Sequence, residues 1–554
     1  QHDQPRPEPR RLTPPNGYDR AMPITPRSLD DVRSVTPIIG LEVHVELATR
    51  TKLFTRVGSP AHPDFENAGP NELVDPLVLA LPGSLPVINK QAVRLAALVG
   101  RALGCSIADV TKWDRKSYFY PDLPKAYQIS QYDMPLCFDG ECRWPIGDEQ
   151  PDGARATVPI RIERAHLEED AGKLLHEAPA DMPELRSELR GAAGAASIVD
   201  LNRAGTPLLE IVTAPDFADV EHLVAFCQHL QRVVRWLGAS EADMQKGHMR
   251  FEPNVNCVLD LDAGRRVTTP ISEIKNLNSF RAVRDAVNAE LAAQPKRWVQ
   301  EGAEFGPGSK STWGWDDAAG RPFLMRAKED AHDYRYFPDP DLPPIRLPGS
   351  MVDAVDATLR ERSLPHERAD TYRNAFGLDA SAAATLSESF AESRLFDAAL
   401  DAMVAEAAEP GRGGLARERA AKPLANLLLQ QGRALAKERG ERDASVAELP
   451  IAPNQWAGVA RLRDEDAIDS SAAESADAAD AAADRLQLRK VKDDAALERW
   501  VDETLSDPAN EKSVADVRAG KNAAIGRLIG GVMQRSKGQA DAKRVREIIT
   551  RRLG

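Results

Sequence analysis

The stretch Ile38-Ile39-Gly40-Leu41-Glu42-Val43-His44-Val45-Glu46-Leu47 decides how the fold is read. Apolar residues stand at Ile39, Leu41, Val43, Val45 and Leu47, and Glu42, His44 and Glu46 alternate with them. Side chains of a strand point to opposite faces in turn, so this strand has one apolar face and one acidic face bearing an imidazole. Burying two carboxylates and a histidine together is costly unless something positive neutralises them. A divalent cation held by carboxylates and an imidazole nitrogen would do so. A solvated edge strand with its polar residues turned to water would need no cation, and the alternation allows either reading.

The surrounding chain sets the frame. Its 554 residues correspond to roughly three or four domains. Hydrophobic residues make up 42% and charged residues 28%, the balance of a soluble globular protein. The net charge of −13 means that any nucleic-acid partner must meet a local basic surface. The five cysteines, Cys105, Cys137, Cys142, Cys227 and Cys257, include no Cys-x-x-Cys pair. That odd number suits a reducing compartment, so a cytoplasmic location is expected. No apolar run is long enough for a membrane span. Residues 1–36 are rich in Pro and Arg without an apolar signal region, and are expected to form a disordered leader.

Residues 37–345 mix strand patterns (Ile39–Leu47, Val158–Leu167, Ile198–Leu201) with helical ones (Lys90–Leu103, Val220–Leu237). The interleaving has no regular strand-helix-strand period, which predicts an α+β class. Residues 346–450 are Ala-rich, with helical spacing at Leu424, Leu427, Leu428 and Leu435, and predict an all-α helical domain. Residues 451–554 predict a small helical tail domain interrupted by an acidic flexible insertion at 464–484. In the tail, Ile525, Leu528, Ile529, Val532 and Met533 form one apolar face, and Val545, Ile548, Ile549 and Leu553 another. Between Arg518 and Arg552 there are ten Lys or Arg against only Asp541 and Glu547. Such a module can track a phosphate backbone, with Arg518, Lys521, Arg527, Arg535, Lys537, Lys543 and Arg544 as the candidate contacts. Solvated cations that merely keep a helix soluble would look the same.

Four further segments bear on chemistry. Asp114–Asp133 interleaves four tyrosines and a phenylalanine with basic residues, a combination that suits a nucleotide or a single-stranded RNA end. A structured loop whose tyrosine hydroxyls cap backbone groups is the alternative. Arg164–Lys173 carries Glu168, Glu169 and Asp170 in succession, which repel one another unless a cation sits nearby. Adjacent strand residues face opposite sides, so Glu168 and Glu169 cannot both serve one site, and parity does not choose between them. Met249–Asn256 and Ser272–Phe280 add acids and amides in strand-like contexts, with Glu273 and Lys275 on one face if extended. Lys328–Pro344 ends in Pro-Asp turns that close the first domain. There is no Walker A sequence, dinucleotide glycine fingerprint, nucleophile elbow or zincin helix.

Taken together with Leu81–Asn89 and Val199–Glu210, these segments resemble, in order, the B subunit of the bacterial aspartyl/glutamyl-tRNA(Asn/Gln) amidotransferases. The resemblance is dense from Ile38 to Pro344 and good from Asn510 onward. It implies a catalytic domain related to glutamine synthetase and guanido kinases. It implies an ATP- and Mg²⁺-dependent enzyme that phosphorylates the side-chain carboxylate of Glu or Asp mischarged on tRNA(Gln) or tRNA(Asn). Ammonia released from glutamine by the partner A subunit, an amidase (glutaminase), then displaces phosphate, and the assembly is bridged by a small C subunit. By motif position, His44, Glu169 and Glu273 are the expected catalytic Mg²⁺ ligands, with Glu42 and Glu252 as further acids of the cluster. Lys116, Tyr120 and Lys125 are the expected nucleotide-binding residues. Three departures stand out: Glu252 replaces a usual Asp, the acidic run interrupts the tail, and Asp75 and Val78 replace a Cys-x-x-Cys, so no structural zinc is expected. A non-catalytic tRNA-binding adaptor with the same fold is the alternative function.

Overall fold

The strand read from Ile38–Leu47 runs as β1 over Val32–Glu46 and lies in the middle of a ten-stranded sheet. The other strands are β2 (Ser106–Ile107), β3 (Cys137–Trp144), β4 (Val158–Glu169), β5 (Pro207–Thr213), β6 (Met249–Leu261), β7 (Arg266–Thr268), β8 (Ser272–Lys275), β9 (Ser311–Asp316) and β10 (Arg321–Arg326). Their order is β10-β9-β8-β6-β1-β5-β4-β3-β2, with β7 pairing β6 at one end. Every pair is antiparallel except β8–β9, which is parallel. A strand bonded on both sides has no solvated edge, so the edge-strand reading of Ile38–Leu47 is excluded. This computed structural model describes residues 27–151, 153, 155–175, 197–326, 334–408, 415–438, 445–464, 494–518, 524–536, 540 and 542–553. Five residues expected in the disordered leader, 32–36, instead extend β1, and Val32, Ser34, Val35 and Thr36 pair with β6. The acidic insertion beyond residue 464 lies outside the described residues.

The sheet has one apolar face because Ile39, Leu41, Val43 and Val45 all point the same way and are 0–1% exposed. Each such side chain removed from water stabilises the fold by about 1.5–3 kcal/mol. Three helices cover that face: α1 (Lys90–Ala102), α2 (Val220–Trp236) and α3 (Phe280–Glu301). Each starts at a side-chain cap, where Asn89, Asp219 and Ser279 accept from amides of the first turn. Gly302, at φ +69°, ends α3 in the left-handed conformation that favours glycine. With the helices on one side, the other face is left free for the acidic residues. A small three-stranded sheet (Phe337–Pro338, Asp114–Ser117, Tyr127–Ser130) stands beside it.

Packing draws the later boundaries differently from the sequence pattern. Helix Gly349–Arg362 buries Val355 in the core beneath the sheet, and Arg101 Nε on α1 pairs with its Asp356 at 3.0 Å. The sheet body therefore extends past residue 345. A second core gathers Tyr372, Phe396, Leu400, Leu424 and Leu427 together with Trp456 and Val459. Helix Pro453–Asp464 thus belongs with the helices before residue 450, not with the tail. A third, separate core joins Leu497, Val501, Leu528, Val532, Val545 and Ile549. Among the described residues, no helix is long and apolar enough to cross a membrane.

The first two bodies meet at a histidine pair. His229 Nε2 on α2 lies 3.1 Å from Nδ1 of His366 on helix Pro365–Asn374, and the Trp144 ring packs at a tilt against His229, centroids 4.7 Å apart. Burial pushes both imidazoles below 6.5, and Arg232 opposes charging of either ring. Unfolding frees them to bind protons, so stability is retained above about pH 6.5 and falls as the pH drops through that value. One site that stays neutral when folded contributes at most about 1.4 kcal/mol per pH unit below that point. We expect the Tm of His366→Gln to fall less than that of the wild type between pH 7.5 and 5.5. Parallel curves in a thermal titration would remove the pair from the pH response.

Candidate functional site

Strand register assembles the acidic face. His44 on β1 lies opposite Glu210 on β5, and Glu210 lies opposite His166 on β4. On the other side, His44 lies opposite Arg250 and Glu42 opposite Glu252, both on β6. Asn254 on β6 lies opposite Glu273 on β8. Glu42, His44, His166, Glu210, Glu252 and Glu273 of these rows line a cleft of about 530 Å³, together with Lys116, Tyr132, Tyr334, Tyr336 and residues of the segment from Phe305 to Lys310.

Two groups of ligand-type atoms result, each within 4.8 Å internally: His44, Glu168 and Glu210, and Glu42, Glu252 and Glu273. His44 Nε2 is 3.6 Å from Glu210 Oε2 and 3.8 Å from Glu168 Oε1, and His44 Nδ1 is 3.9 Å from Glu252 Oε1. Burial disfavours a charged His44, but the carboxylates of Glu210, Glu252 and Glu168 hold its pKa up at about 9. Glu210 is driven the other way. Burial opposes its charge, and His166 and His44 hold it well below the usual range. Burial and the nearby Glu210 raise Glu42. Glu273 lies at about 2 because Lys275 and Lys310 outweigh its burial. Opposed shifts of this kind are concentrated at functional sites, and structural ion-pair networks produce them too.

The donor set suits a divalent cation. Nδ1 of His44, Nδ1 of His166 and Oδ1 of Asn254 are buried without hydrogen-bond partners. Buried polar atoms of folded proteins are rarely left unpaired, so these await a ligand or an ordered water. Carboxylate oxygens joined by imidazole nitrogen form a mixed set that accepts Mg²⁺ or Mn²⁺.

The structure brings together His44, Glu42, Glu252 and Glu273 of the expected residues, but not Glu169. On β4, His166 and Glu168 share the face of Glu210, so Glu169 points the other way. Its carboxylate is occupied by Lys125 Nζ at 2.5 Å and by the Ile129 amide at 3.0 Å. Glu168 takes the place expected of Glu169 beside His44. The nucleotide-binding expectations divide likewise. Lys116 enters the cleft, its Nζ 5.0 Å above the Tyr334 ring. Lys125 is spent on Glu169, and Tyr120 stacks on Tyr118 away from the cleft lining. Asp75 closes a turn by accepting from the Val78 amide at 2.9 Å.

Glu210 and His166 escaped the sequence reading, although each carries a legible signal. Glu210 interrupts Leu208-Leu209-Glu210-Ile211-Val212 as a lone acid in an apolar strand, and His166 stands two residues before Glu168. The tail expectations also sort by geometry. Arg518 and Arg527 are exposed with no ion pair to a described residue, and Lys543 is exposed. Arg535 pairs with Asp507, and Arg544 with Asp494 and Glu547. Lys521 and Lys537 lie outside the described residues.

A mixed α+β sheet body with histidines and acids across its central strands, followed by helical modules, has the layout of an enzyme's catalytic domain with appended helical parts. Comparison with known proteins gives the same class: the family model described as the GatB/GatE catalytic domain matches residues 37–353, and the one described as the GatB domain matches 415–553. Proteins named as the B subunit of aspartyl/glutamyl-tRNA(Asn/Gln) amidotransferase are similar along nearly their whole length. That of Rhodopirellula baltica is 36% identical over 528 residues, covering 93% of this chain and 96% of the relative. Those of Laribacter hongkongensis and Salinibacter ruber are each 38% identical, covering 93% of this chain and 98% and 96% of the relatives. The chain belongs to this family of amidotransferase B subunits, and with it to the carbon–nitrogen ligases.

Proposed function

We propose that this chain activates the side-chain carboxylate of Glu mischarged on tRNA(Gln), or of Asp mischarged on tRNA(Asn), by phosphorylating it with ATP. Ammonia then attacks the acyl phosphate: a C–N bond forms, the C–O bond to phosphate breaks, and inorganic phosphate leaves. A carboxylate is a poor acceptor for ammonia, and the phosphoryl group turns its oxygen into a good leaving group. The observation that carries this reading is the two clusters on the acidic face, one of His44 with two carboxylates and one of three carboxylates. Mg²⁺ held by His44, Glu168 and Glu210, and by Glu42, Glu252 and Glu273, would offset the negative charge gathered during phosphoryl transfer. Lys116, Arg164 and Lys275 supply fixed positive charge around the same cleft. Tyr132 and Tyr336, stacked at 4.4 Å, offer a flat apolar surface to a base or a tRNA 3′ end. In this reading the sheet and its backing helices form the glutamine synthetase- and guanido kinase-like platform, and the tail meets tRNA. Ammonia comes from an amidase, the A subunit, in an assembly completed by a small C subunit.

The full chain, given Mg²⁺, ATP, Glu-tRNA(Gln) and ammonium chloride, is expected to form Gln-tRNA(Gln), ADP and phosphate without any amidase. Tight tRNA binding with no ATP cleavage would identify a non-catalytic adaptor instead. Turnover of free glutamate at a comparable rate would identify a small-molecule ligase.

A further inference from the structure

One lysine of the cleft, Lys310, stands at the end of a turn and not on a strand of either sheet. Lys310 follows the turn Phe305-Gly306-Pro307-Gly308-Ser309 and directly precedes β9. The turn is closed on itself: Ser309 Oγ donates to the Gly306 carbonyl at 2.7 Å, and the Gly306 amide donates to Ser309 Oγ at 3.0 Å. The Phe305 amide anchors it by donating to the Thr268 carbonyl at 2.8 Å, and Gly308 adopts φ +68°. Lys310 is therefore carried by a well-tied turn, and its side chain, 39% exposed, reaches back over the rim of the cleft.

Its ammonium nitrogen sits 2.9 Å from Glu273 Oε2. The other oxygen of that carboxylate, Oε1, already receives Lys275 at 2.8 Å, and Lys275 also reaches Glu252 Oε2 at 2.5 Å. Lys275 belongs to the sheet and is held by two acids at once. Lys310 holds one, from the turn at the cleft rim. A divalent ion seated between Glu42, Glu252 and Glu273 would need an oxygen that Lys310 covers, and would repel its charge at close range.

We propose that Lys310 is a stand-in cation of the second acidic group, one that occupies Glu273 when no metal is bound and yields it to a divalent ion. Displaced from Glu273, the ammonium remains at the rim of the cleft, where it can meet an anionic phosphate group of the nucleotide. That second role rests on the phosphoryl-transfer reading above; the competition for Glu273 does not.

Manganese binding to the full chain without nucleotide, followed by the electron paramagnetic resonance of free Mn²⁺, tests the proposal. Removing a unit charge this close to the acids should tighten Mn²⁺ binding at the group of Glu42, Glu252 and Glu273 in Lys310→Gln by about tenfold or more. Lys310→Arg, which keeps the charge, should stay within about twofold of the wild type. In the presence of Mn²⁺, Lys310→Gln should also bind ATP more weakly than the wild type in a filter assay. Equal Mn²⁺ affinity in wild type and Lys310→Gln would overturn the stand-in role while leaving the metal reading intact. Absence of Mn²⁺ binding in both proteins would overturn the acidic floor as a metal site, and this proposal with it.

Discussion

His44→Ala is expected to bring ammonium-dependent formation of Gln-tRNA(Gln) down to background, while tRNA affinity stays within about twofold. The imidazole lies within 4 Å of Glu168 and Glu210 in its own group and of Glu252 in the other, so it links the two. Losing a preorganised group of this kind typically costs about 10²–10³ in rate. In the metal-free protein His44 is also the cation between these acids, since its pKa is held at about 9. Its removal therefore leaves the carboxylates of Glu210, Glu252 and Glu168 without that counter-charge, and a thermal melt must accompany the assay. Glu168→Gln should follow His44→Ala in its loss of rate. Glu169→Gln should not lower Mn²⁺ affinity, because its carboxylate serves Lys125 and the Ile129 amide on the other side of the strand. Parallel loss of tRNA binding and amidation in His44→Ala would make the residue structural.

Removal of residues 494–554 is expected to weaken binding of Glu-tRNA(Gln) at least about tenfold and to flatten its dependence on salt. Each phosphate left without its cation lowers the slope of log K against log salt by about 0.7–0.9, because fewer counterions are released. The module can be removed as a unit, since its core of Leu497, Val501, Leu528, Val532, Val545 and Ile549 is its own. Cutting at residue 510 would instead strip the partners from helix Asp494–Leu505 and expose Leu497 and Val501. Single substitutions refine the footprint. Arg527→Ala should lower the salt slope, whereas Arg544→Ala acts first on the pairs with Asp494 and Glu547. An unchanged affinity after removal of the module would take it out of the RNA footprint.

Strand alternation in Ile39–Leu47 was enough to place Glu42 and His44 on one face, because period two is intrinsic to the backbone. The choice between Glu168 and Glu169 could not be made in the same way. Parity states that they diverge, and only the register of β4 against β5 assigns the faces. Glu210 was hidden for a related reason: a lone acid in an apolar strand has no meaning until it lies opposite His44. The later boundaries failed on packing. Helical spacing marks which side of Pro453–Asp464 is buried, and says nothing of which core receives Trp456. Charge counting found the basic tail but missed how much of it is spent. Glu498 and Asp502, on a helix outside the basic stretch, engage Arg551 and Arg552.

The central position of β1 has a consequence for biosynthesis. Its partners β5 and β6 begin at Pro207 and Met249, so the strand leaves the ribosome about 160 and 200 residues before they do. At about 5–20 residues per second, β1 waits for β6 on the order of 10–40 s with its apolar and acidic faces both unpaired. Through that interval the nascent chain exposes a long sticky ribbon that other nascent chains can pair with. Yield on overproduction should therefore depend on holdase chaperones and on slower synthesis at lower temperature more than on the melting point of the finished protein.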